Sequence, residues 1–337
     1  MQTYEGHKDY LTSQQISELG VGLSKPILAL RHYSTDGKNR CSMVVTSGSC
    51  YALTAAHCVE DVLLKHPSFK IKTLEYLPSV KFGDISPEQL REKKVFIGKD
   101  KLELIAVGRN FPLGNSFHNF WSISGSNGES DYQQAKSIEE IFKDLHQRGM
   151  GPGRDWALLK INDTNCNCVS ASEKKENDKA ILLGFSKDSG FTVHGEGEIS
   201  PHLGLSLGSS ICKPRVLTRA EWGKGLSAIK QFVFAIRHGA QAIEEEKRYR
   251  AYRNVFSEYL HFTDARGNPG GSGGGLVDSE MNLKGITSFG STDNLIVGRF
   301  AAATKISKIK SDLKEMVEPD LFAEIFRCDQ IQKVEER

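Results

Sequence analysis

Residues 51–58 read Tyr-Ala-Leu-Thr-Ala-Ala-His-Cys, a run of small and apolar side chains that ends in a histidine and a cysteine. A short apolar run of this kind predicts a buried strand, with His57 just beyond its end. Two further segments follow in the chain: Asp155 opens an apolar run, and Ser272 lies within Gly267–Leu276. A histidine base, a carboxylate that orients it and a serine nucleophile are the groups that acyl transfer through a serine hydroxyl requires.

Glycine dominates the segment around Ser272, where six of the nine residues from Gly267 to Gly275 are glycine. Glycine lets the backbone turn its N–H groups inward, and we expect those of Gly270 and Ser272 to form an oxyanion hole. The segment also fits the Gly-x-Ser-x-Gly motif of α/β-hydrolases, but that fold needs a histidine after the serine, and none follows His261. A phosphate-binding loop is excluded because no Lys-Ser or Lys-Thr follows the glycines.

At these three segments the sequence resembles the chymotrypsin-like serine peptidases. Leu53–Cys58 is similar to trypsin, and Thr263–Gly274 resembles the serine segment of the HtrA/Deg proteases. The resemblance implies two antiparallel six-stranded β-barrels, a catalytic cleft between them and a C-terminal helix. It implies a serine endopeptidase that needs no cofactor, with His57 as general base, Asp155 as its orienting carboxylate and Ser272 as nucleophile.

The rest of the chain is consistent with an all-β fold with added helices. Short β-branched or alternating runs recur between turn residues, as in all-β proteins. We expect residues 20–170 to form a first barrel with the histidine and the aspartate, residues 175–306 a second barrel with the serine, and residues 307–337 a helical segment. Capping boxes predict inserted helices near 137–147 and 219–246, which could bind a protein partner.

The chain contains seven cysteines, an odd number that leaves one free or paired between molecules. The resemblance implies a disulfide between Cys41 and Cys58 that braces the histidine loop, and a hairpin between them would bring the two thiols together. Closing a loop of this size stabilises a protein by about 3 kcal/mol on the loop-entropy estimate. Two buried thiols in a reducing cytosol are the alternative. Cys166 and Cys168 have no second Cys/His pair with zinc spacing nearby, so we expect no metal site.

Substrate-binding residues are also implied by the resemblance. Ser288, Phe289 and Gly290 resemble the strand that lines the S1 pocket and pairs with the substrate backbone. Arg266 falls where the family has the residue at the base of S1, and a cation there would favour acidic P1 side chains. Alternatively, Arg266 points outward and Ala301 narrows the pocket for small aliphatic P1 residues. Both alternatives disfavour lysine and arginine at P1.

Two residues of the serine segment depart from the family pattern. Gly271 precedes the serine where trypsin-like enzymes have an aspartate that captures a newly cut N-terminal amine, so we predict a site that forms without such cleavage or through a partner. Gly275 stands where proline is usual, which leaves the loop less constrained. The glycine-rich loop and the long insertions keep a second function open, that of a catalytically weak or inactive pseudoprotease acting as a protein-binding scaffold.

Composition limits the partners and the compartment. The net charge is +2 with both signs interspersed, which does not indicate nucleic-acid binding. A polypeptide is the substrate that the resemblance implies. No apolar run approaches the ~18–20 residues of a membrane span. Residues 1–20 lack the basic start and apolar middle of a secretory signal, whereas the expected disulfide favours a secreted or periplasmic protein; a cytosolic location is the alternative.

Overall fold

The computed structural model describes the segments that carry the histidine, the aspartate and the serine. The described residues are 29–34, 40–69, 73–74, 77–80, 85–99, 101–108, 111–112, 154–171, 179–186, 190–198, 258–263, 270–278, 280–294 and 298–328. The helices expected near 137–147 and 219–246 lie outside these residues, as do Arg266 and Cys212.

Strands dominate the described part of the chain. In chain order they are β1 (Leu30–Ser34), β2 (Arg40–Val45), β3 (Tyr51–Thr54), β4 (Thr73–Leu74), β5 (Leu77–Val80), β6 (Phe96–Ile97), β7 (Leu102–Val107), β8 (Phe111–Pro112), β9 (Ala157–Lys160), β10 (Lys179–Ser186), β11 (Gly190–Glu198), β12 (Leu260–Thr263), β13 (Gly275–Val277), β14 (Leu283–Asn294) and β15 (Gly298–Lys305). The helices are α1 (Glu60–Lys65), α2 (Pro87–Lys93), α3 (Ile306–Met316) and α4 (Pro319–Ile325). The predicted all-β core with added helices is therefore confirmed.

Most strands belong to two six-stranded antiparallel sheets that follow one another along the chain. The first sheet has the order β1–β2–β3–β9–β7–β6, and the second has the order β11–β10–β13–β14–β15–β12. Strands β4, β5 and β8 form a small third sheet. The first sheet is built from residues 30–160 and the second from residues 179–305.

Closure of the two sheets into barrels was predicted and is not observed in the described part of the chain. There, no pairing joins β1 to β6 in the first sheet or β11 to β12 in the second. A closed barrel needs a continuous ladder between its first and last strands. Strand β6 contains only Phe96 and Ile97, so it offers too short an edge for such a ladder.

Pairing of β3 with β9 determines where the histidine and the aspartate meet. The two strands are antiparallel, with Leu53 opposite Leu158 and Thr54 opposite Ala157. The end of β3 therefore lies beside the start of β9. His57 follows β3 in a short 3-10 turn, and Asp155 stands two residues before β9 begins. Both side chains are thus brought to the same edge of the first sheet.

Helix α3 packs against the body of the protein with one apolar face. Its buried residues, Ile306, Ile309 and Leu313, have the spacing of a single helical face. Asp312, on the same helix, accepts a hydrogen bond of 3.1 Å from the indole N–H of the fully buried Trp156. Among the described helices, none is long and apolar enough to cross a membrane.

Three disulfides link six of the seven cysteines. They are Cys41–Cys58, Cys50–Cys166 and Cys168–Cys328. The first pair is the one implied by the resemblance, and the third attaches the end of the C-terminal helical segment to the chain that follows β9. Three disulfides are compatible with an oxidising compartment such as the extracellular space or the periplasm.

Candidate active site

Asp155 is completely buried and holds His57 through two hydrogen bonds. Its Oδ1 accepts the backbone N–H of His57 at 3.0 Å, and its Oδ2 lies 2.9 Å from Nδ1 of the imidazole. A carboxylate that contacts both the backbone and the ring fixes the position and the rotation of the histidine. With Nδ1 engaged as a donor, the neutral ring carries its lone pair on Nε2, which is the tautomer that a general base needs.

Two hydroxyl groups from the second sheet complete the surroundings of Asp155. The Ser288 hydroxyl donates a hydrogen bond to Oδ2, the carboxylate oxygen that also contacts His57. The Thr304 hydroxyl donates to the backbone carbonyl of Asp155 at 3.3 Å. A buried carboxylate is costly without partners, and the hydrogen bond from Ser288 offsets part of that cost. The second sheet therefore stabilises the carboxylate, although Asp155 itself precedes a strand of the first sheet.

Burial and charge act in opposite directions on the pKa of His57. Burial alone lowers this pKa because it penalises the imidazolium. The negative charge of Asp155, the hydrogen bond to it and the negative charge of Glu60 raise the pKa, and the net shift is upward. The imidazole side chain is still 28% exposed, so His57 can reach a bound molecule.

The glycine-rich loop, defined here as residues 270–274, lies against the histidine turn. The backbone N–H of Ser42, on β2, donates to the carbonyl oxygen of Ser272 at 2.8 Å. The same carbonyl oxygen lies 3.9 Å from Sγ of Cys58, the residue that follows His57. The structure therefore brings the loop of Ser272 next to the His57 turn.

Close packing requires glycine at position 273. Gly273 has a φ of +81°, and a Cβ built there would lie 2.1 Å from the carbonyl oxygen of Ser42 and 2.2 Å from Oγ1 of Thr54. Its N–H donates to the carbonyl oxygen of Thr287 on β14 at 2.7 Å, and a hydrogen bond of 2.9 Å from Gly274 N–H to the Gly271 carbonyl closes the turn. The loop is thus inserted between the two sheets.

Within the described part of the chain, three N–H groups of this loop, those of Gly270, Gly271 and Ser272, donate to no backbone carbonyl. Gly270 has a φ of +92°, a conformation that glycine adopts at little cost. The N–H groups of Gly270 and Ser272 are the two that the sequence predicts as an oxyanion hole, and that role stays a prediction.

The predicted substrate-binding residues lie in several environments. Ser288 is buried with its hydroxyl on Asp155, so its side chain stabilises the carboxylate. The backbones of Phe289 and Gly290 are paired with Ala302 and Ala301 of β15. Ala301 is fully buried in a small apolar cluster with Leu182, Leu276 and Ala303. The role of these residues in substrate binding stays a prediction, as does that of Arg266.

In the described ranges, no group of three or more His, Cys, Asp or Glu could hold a metal ion.

Two residues near the site were not predicted from the sequence. Glu60 is buried on α1 and raises the pKa of His57, and its place three residues after the histidine could have indicated this. Ser42 contacts the glycine-rich loop from a different sheet, 228 residues earlier in the chain than Gly270. Only its position beside Cys41 offered a signal, since the expected disulfide already placed that cysteine near His57.

The sequence matches no protein-family model and none of the curated proteins. Among solved structures, the chain is similar to a serine endoprotease from Yersinia pestis, with 14% identity over 89% of this chain and 66% of that one and a TM-score of 0.39. It is similar to the HtrA-type protease AlgW with a tripeptide, with 18% identity over 88% of this chain and 62% of that one and a TM-score of 0.41.

A third similar structure is the inactive form of the Rv3671c protease of M. tuberculosis, with 10% identity over 92% of this chain and 98% of that one and a TM-score of 0.40. These three solved structures are serine proteases. At these identities the similarity concerns the fold alone. This chain spans just under two thirds of the length of the Yersinia and AlgW chains.

Proposed function

We propose that the protein is a serine endopeptidase that hydrolyses peptide bonds through an acyl-enzyme on Ser272. The observation that carries this proposal is the buried carboxylate of Asp155, which contacts both the backbone N–H and Nδ1 of His57 beside the loop of Ser272. A buried carboxylate that orients a partly exposed histidine is the arrangement by which a serine hydroxyl is made nucleophilic.

In the first half of the reaction, Ser272 Oγ attacks the carbonyl carbon of the substrate while His57 Nε2 accepts the hydroxyl proton. Asp155 stabilises the imidazolium that forms, and the upward shift in the pKa of His57 is consistent with this role. The proton then passes from His57 to the leaving amine as the C–N bond breaks. Water attacks the resulting ester with His57 again as base, which releases the acid and restores the Ser272 hydroxyl.

Negative charge develops on the carbonyl oxygen of the substrate during both steps. The N–H groups of Gly270 and Ser272 would donate hydrogen bonds to it, which is consistent with their lack of a backbone acceptor in the described residues. Removal of one such donor lowers the rate by roughly 10²–10³-fold in a comparable enzyme.

Strand β14 offers an edge to which an extended substrate can add. Its pairing with β13 ends at Ile286, opposite Gly275, and among the described residues Thr287 pairs on that side only with the glycine-rich loop. Its other side stays paired with β15 as far as Asn294. The backbone at residues 288–290 can therefore bind a substrate strand by β-augmentation, which favours a polypeptide over a small ester. P1 specificity would be set by Arg266 or Ala301.

A fluorophosphonate serine-hydrolase probe tests the proposal directly. We expect the wild type to be labelled and Ser272→Ala and His57→Ala to be unlabelled. His66→Ala is the matched control, because His66 lies nine residues further along and its ring accepts the Ser68 N–H and packs against Phe69 in its own loop. Labelling that survives Ser272→Ala would contradict the proposal. A peptide library with strong cleavage after lysine or arginine would exclude both predicted P1 preferences.

The second candidate function is a pseudoprotease that binds proteins without turnover. The features of the sequence that keep it open are the glycine-rich loop and the long insertions. A folded wild type that neither reacts with the probe nor cleaves any library peptide would favour the scaffold, with its partner bound at the inserted segments.

A further inference from the structure

Ser42 contacts the glycine-rich loop at two points. It is completely buried on β2. Its hydroxyl donates to the carbonyl oxygen of Gly270 at 3.0 Å and accepts the backbone N–H of Phe185, on β10, at 2.7 Å. Its backbone N–H donates to the carbonyl oxygen of Ser272 at 2.8 Å. One residue of the first sheet therefore binds the loop on both sides of Gly271 and also binds a strand of the second sheet.

The position of Ser42 is itself fixed by a buried network. Its carbonyl oxygen accepts the Thr54 hydroxyl at 2.7 Å, and the Thr54 oxygen lies 2.9 Å from the hydroxyl of Tyr33. Thr54 and Tyr33 are both almost completely shielded from water. Hydrogen bonds are electrostatically stronger in such surroundings than in water. Ser42 is therefore held by the first sheet independently of the loop that it contacts.

We propose that Ser42 is a positioning residue that holds the glycine-rich loop in the conformation needed for catalysis; the proposal rests on the peptidase function proposed above. The peptide group that joins Gly271 to Ser272 contains the N–H of Ser272. The carbonyl group of Gly270 precedes this peptide group in the chain, and the carbonyl group of Ser272 follows it. When both carbonyls are anchored to Ser42, the intervening peptide group has little freedom to rotate. The N–H of Ser272 is then kept available for the oxyanion.

The composition of the loop explains why an external anchor is needed. From Gly270 to Gly274 only Ser272 has a side chain, so the loop cannot be fixed by side chains of its own. Glycine also has the largest conformational freedom to lose on ordering. Gly271 in particular offers no carboxylate that a newly cut N-terminus could bind. Anchoring by Ser42 thus provides a physical basis for a site that forms without N-terminal processing.

Two matched deletions of a buried hydroxyl test the proposal. Ser42→Ala removes a hydroxyl that donates to the Gly270 carbonyl at 3.0 Å. Thr46→Val removes one that donates to the Ile325 carbonyl at 2.9 Å; Thr46 directly follows β2 and makes this bond to α4 rather than to the glycine-rich loop. We expect both to lower the melting temperature, but only Ser42→Ala to lower kcat, by about ten- to hundredfold with KM unchanged. Ser42→Thr, which keeps the hydroxyl, should recover most of kcat.

Equal kcat values for Ser42→Ala and Thr46→Val would overturn the positioning role while leaving the peptidase function intact. Hydrogen exchange provides a readout that needs no activity. In the folded wild type, the amides of Ser42 and Phe185 should exchange slowly, and residues 270–274 should exchange faster in Ser42→Ala than in Thr46→Val.

Fast exchange of the Ser42 amide in the folded wild type would overturn the proposal even if Ser42→Ala does not fold, as would equal loop exchange in the two variants. A wild type without Ser272-dependent activity contradicts the peptidase function instead. In that case the exchange data alone decide whether Ser42 anchors the loop.

Discussion

The hydroxyl of Ser288 donates a hydrogen bond to Asp155 Oδ2, the oxygen that lies 2.9 Å from Nδ1 of His57. A strand of the second sheet therefore stabilises the carboxylate that the first sheet supplies. The site depends on contact between the sheets, because neither sheet alone contains both partners of this bond.

Ser288→Ala should lower kcat/KM roughly tenfold or more, since a hydrogen bond to a buried charged group contributes about 1.5–3 kcal/mol. Thr304→Val is the matched control. It also removes a buried hydroxyl that contacts Asp155, but one that donates to the backbone carbonyl. We expect Thr304→Val to lower stability with a smaller effect on turnover. Equal losses of kcat/KM would mean that the contact to the carboxylate has no special role.

The pH dependence of kcat/KM should reflect the raised pKa of His57. The histidine must be neutral to act as a base, so activity is lost as the pH falls through a pKa that lies above the ordinary value of 6.5. Glu60→Gln removes a negative charge that raises this pKa, so its acid limb should move to lower pH. Asp61→Asn, at an exposed neighbouring position, should leave the limb where it is. A limb that moves equally in both variants would contradict the role of Glu60.

The raised pKa of His57 affects stability in the opposite direction to activity as the pH changes. A pKa above the unfolded value means that the fold favours protonated His57, so this contribution is present at pH below the unfolded pKa and is lost as the pH rises through the folded pKa. Thermal melts of wild type and His57→Ala across this range should therefore differ most at the acid end. Activity and the stability contributed by His57 should change in opposite directions.

Gly273→Ala should lower the free energy of unfolding by more than about 3 kcal/mol, because its Cβ would overlap backbone and side-chain oxygens at a positive φ. Gly275→Ala provides the comparison. Its Cβ would lie 3.1 Å from the end of the Leu283 side chain and 3.3 Å from that of Val44, both of which can adjust. We expect a loss of less than about 1.5 kcal/mol there. Urea denaturation measures both, and similar values would contradict the insertion of Gly273 between the sheets.

Asp312→Ala should lower the free energy of unfolding by about 1–3 kcal/mol, because it leaves the buried indole N–H of Trp156 without this acceptor. The guanidinium of Arg154, 3.9 Å from the same carboxylate, also loses a partner. Glu315→Ala, on the exposed side of α3, should change stability by less than about 0.5 kcal/mol. Tryptophan fluorescence during denaturation measures the free energy of unfolding of both variants. If Asp312→Ala leaves this free energy unchanged, the contact between α3 and Trp156 does not stabilise the start of β9.

Short-range pattern was sufficient to predict the strands that carry the site. The apolar runs at 51–54 and 157–160 are strands, and in the structure they pair antiparallel with each other. The contact of His57 with Asp155 is a direct result of that pairing. The resemblance implied six strands in each sheet, which is observed, and closure of each sheet into a barrel, which is not observed in the described residues.

Long-range contacts could not be predicted in the same way. Cys50–Cys166 and Cys168–Cys328 join residues 116 and 160 positions apart, and no local rule selects these two pairs from the seven cysteines of the sequence. Ser42 is one small polar residue in a strand, and its importance depends on a loop from the other sheet. Such roles are decided by tertiary packing, which residue types and spacing do not specify.

The disulfides have a consequence for the covalent continuity of the chain. Their loops run from Cys41 to Cys58, from Cys50 to Cys166 and from Cys168 to Cys328. The first two overlap, so between Cys41 and Cys328 only the two peptide bonds that flank Asn167 lie outside every loop. A single nick anywhere else in this stretch, including one made by the protein on itself, leaves both fragments tethered. His57 and Ser272 would remain on one covalent particle, and the nick would become visible only on a reducing gel.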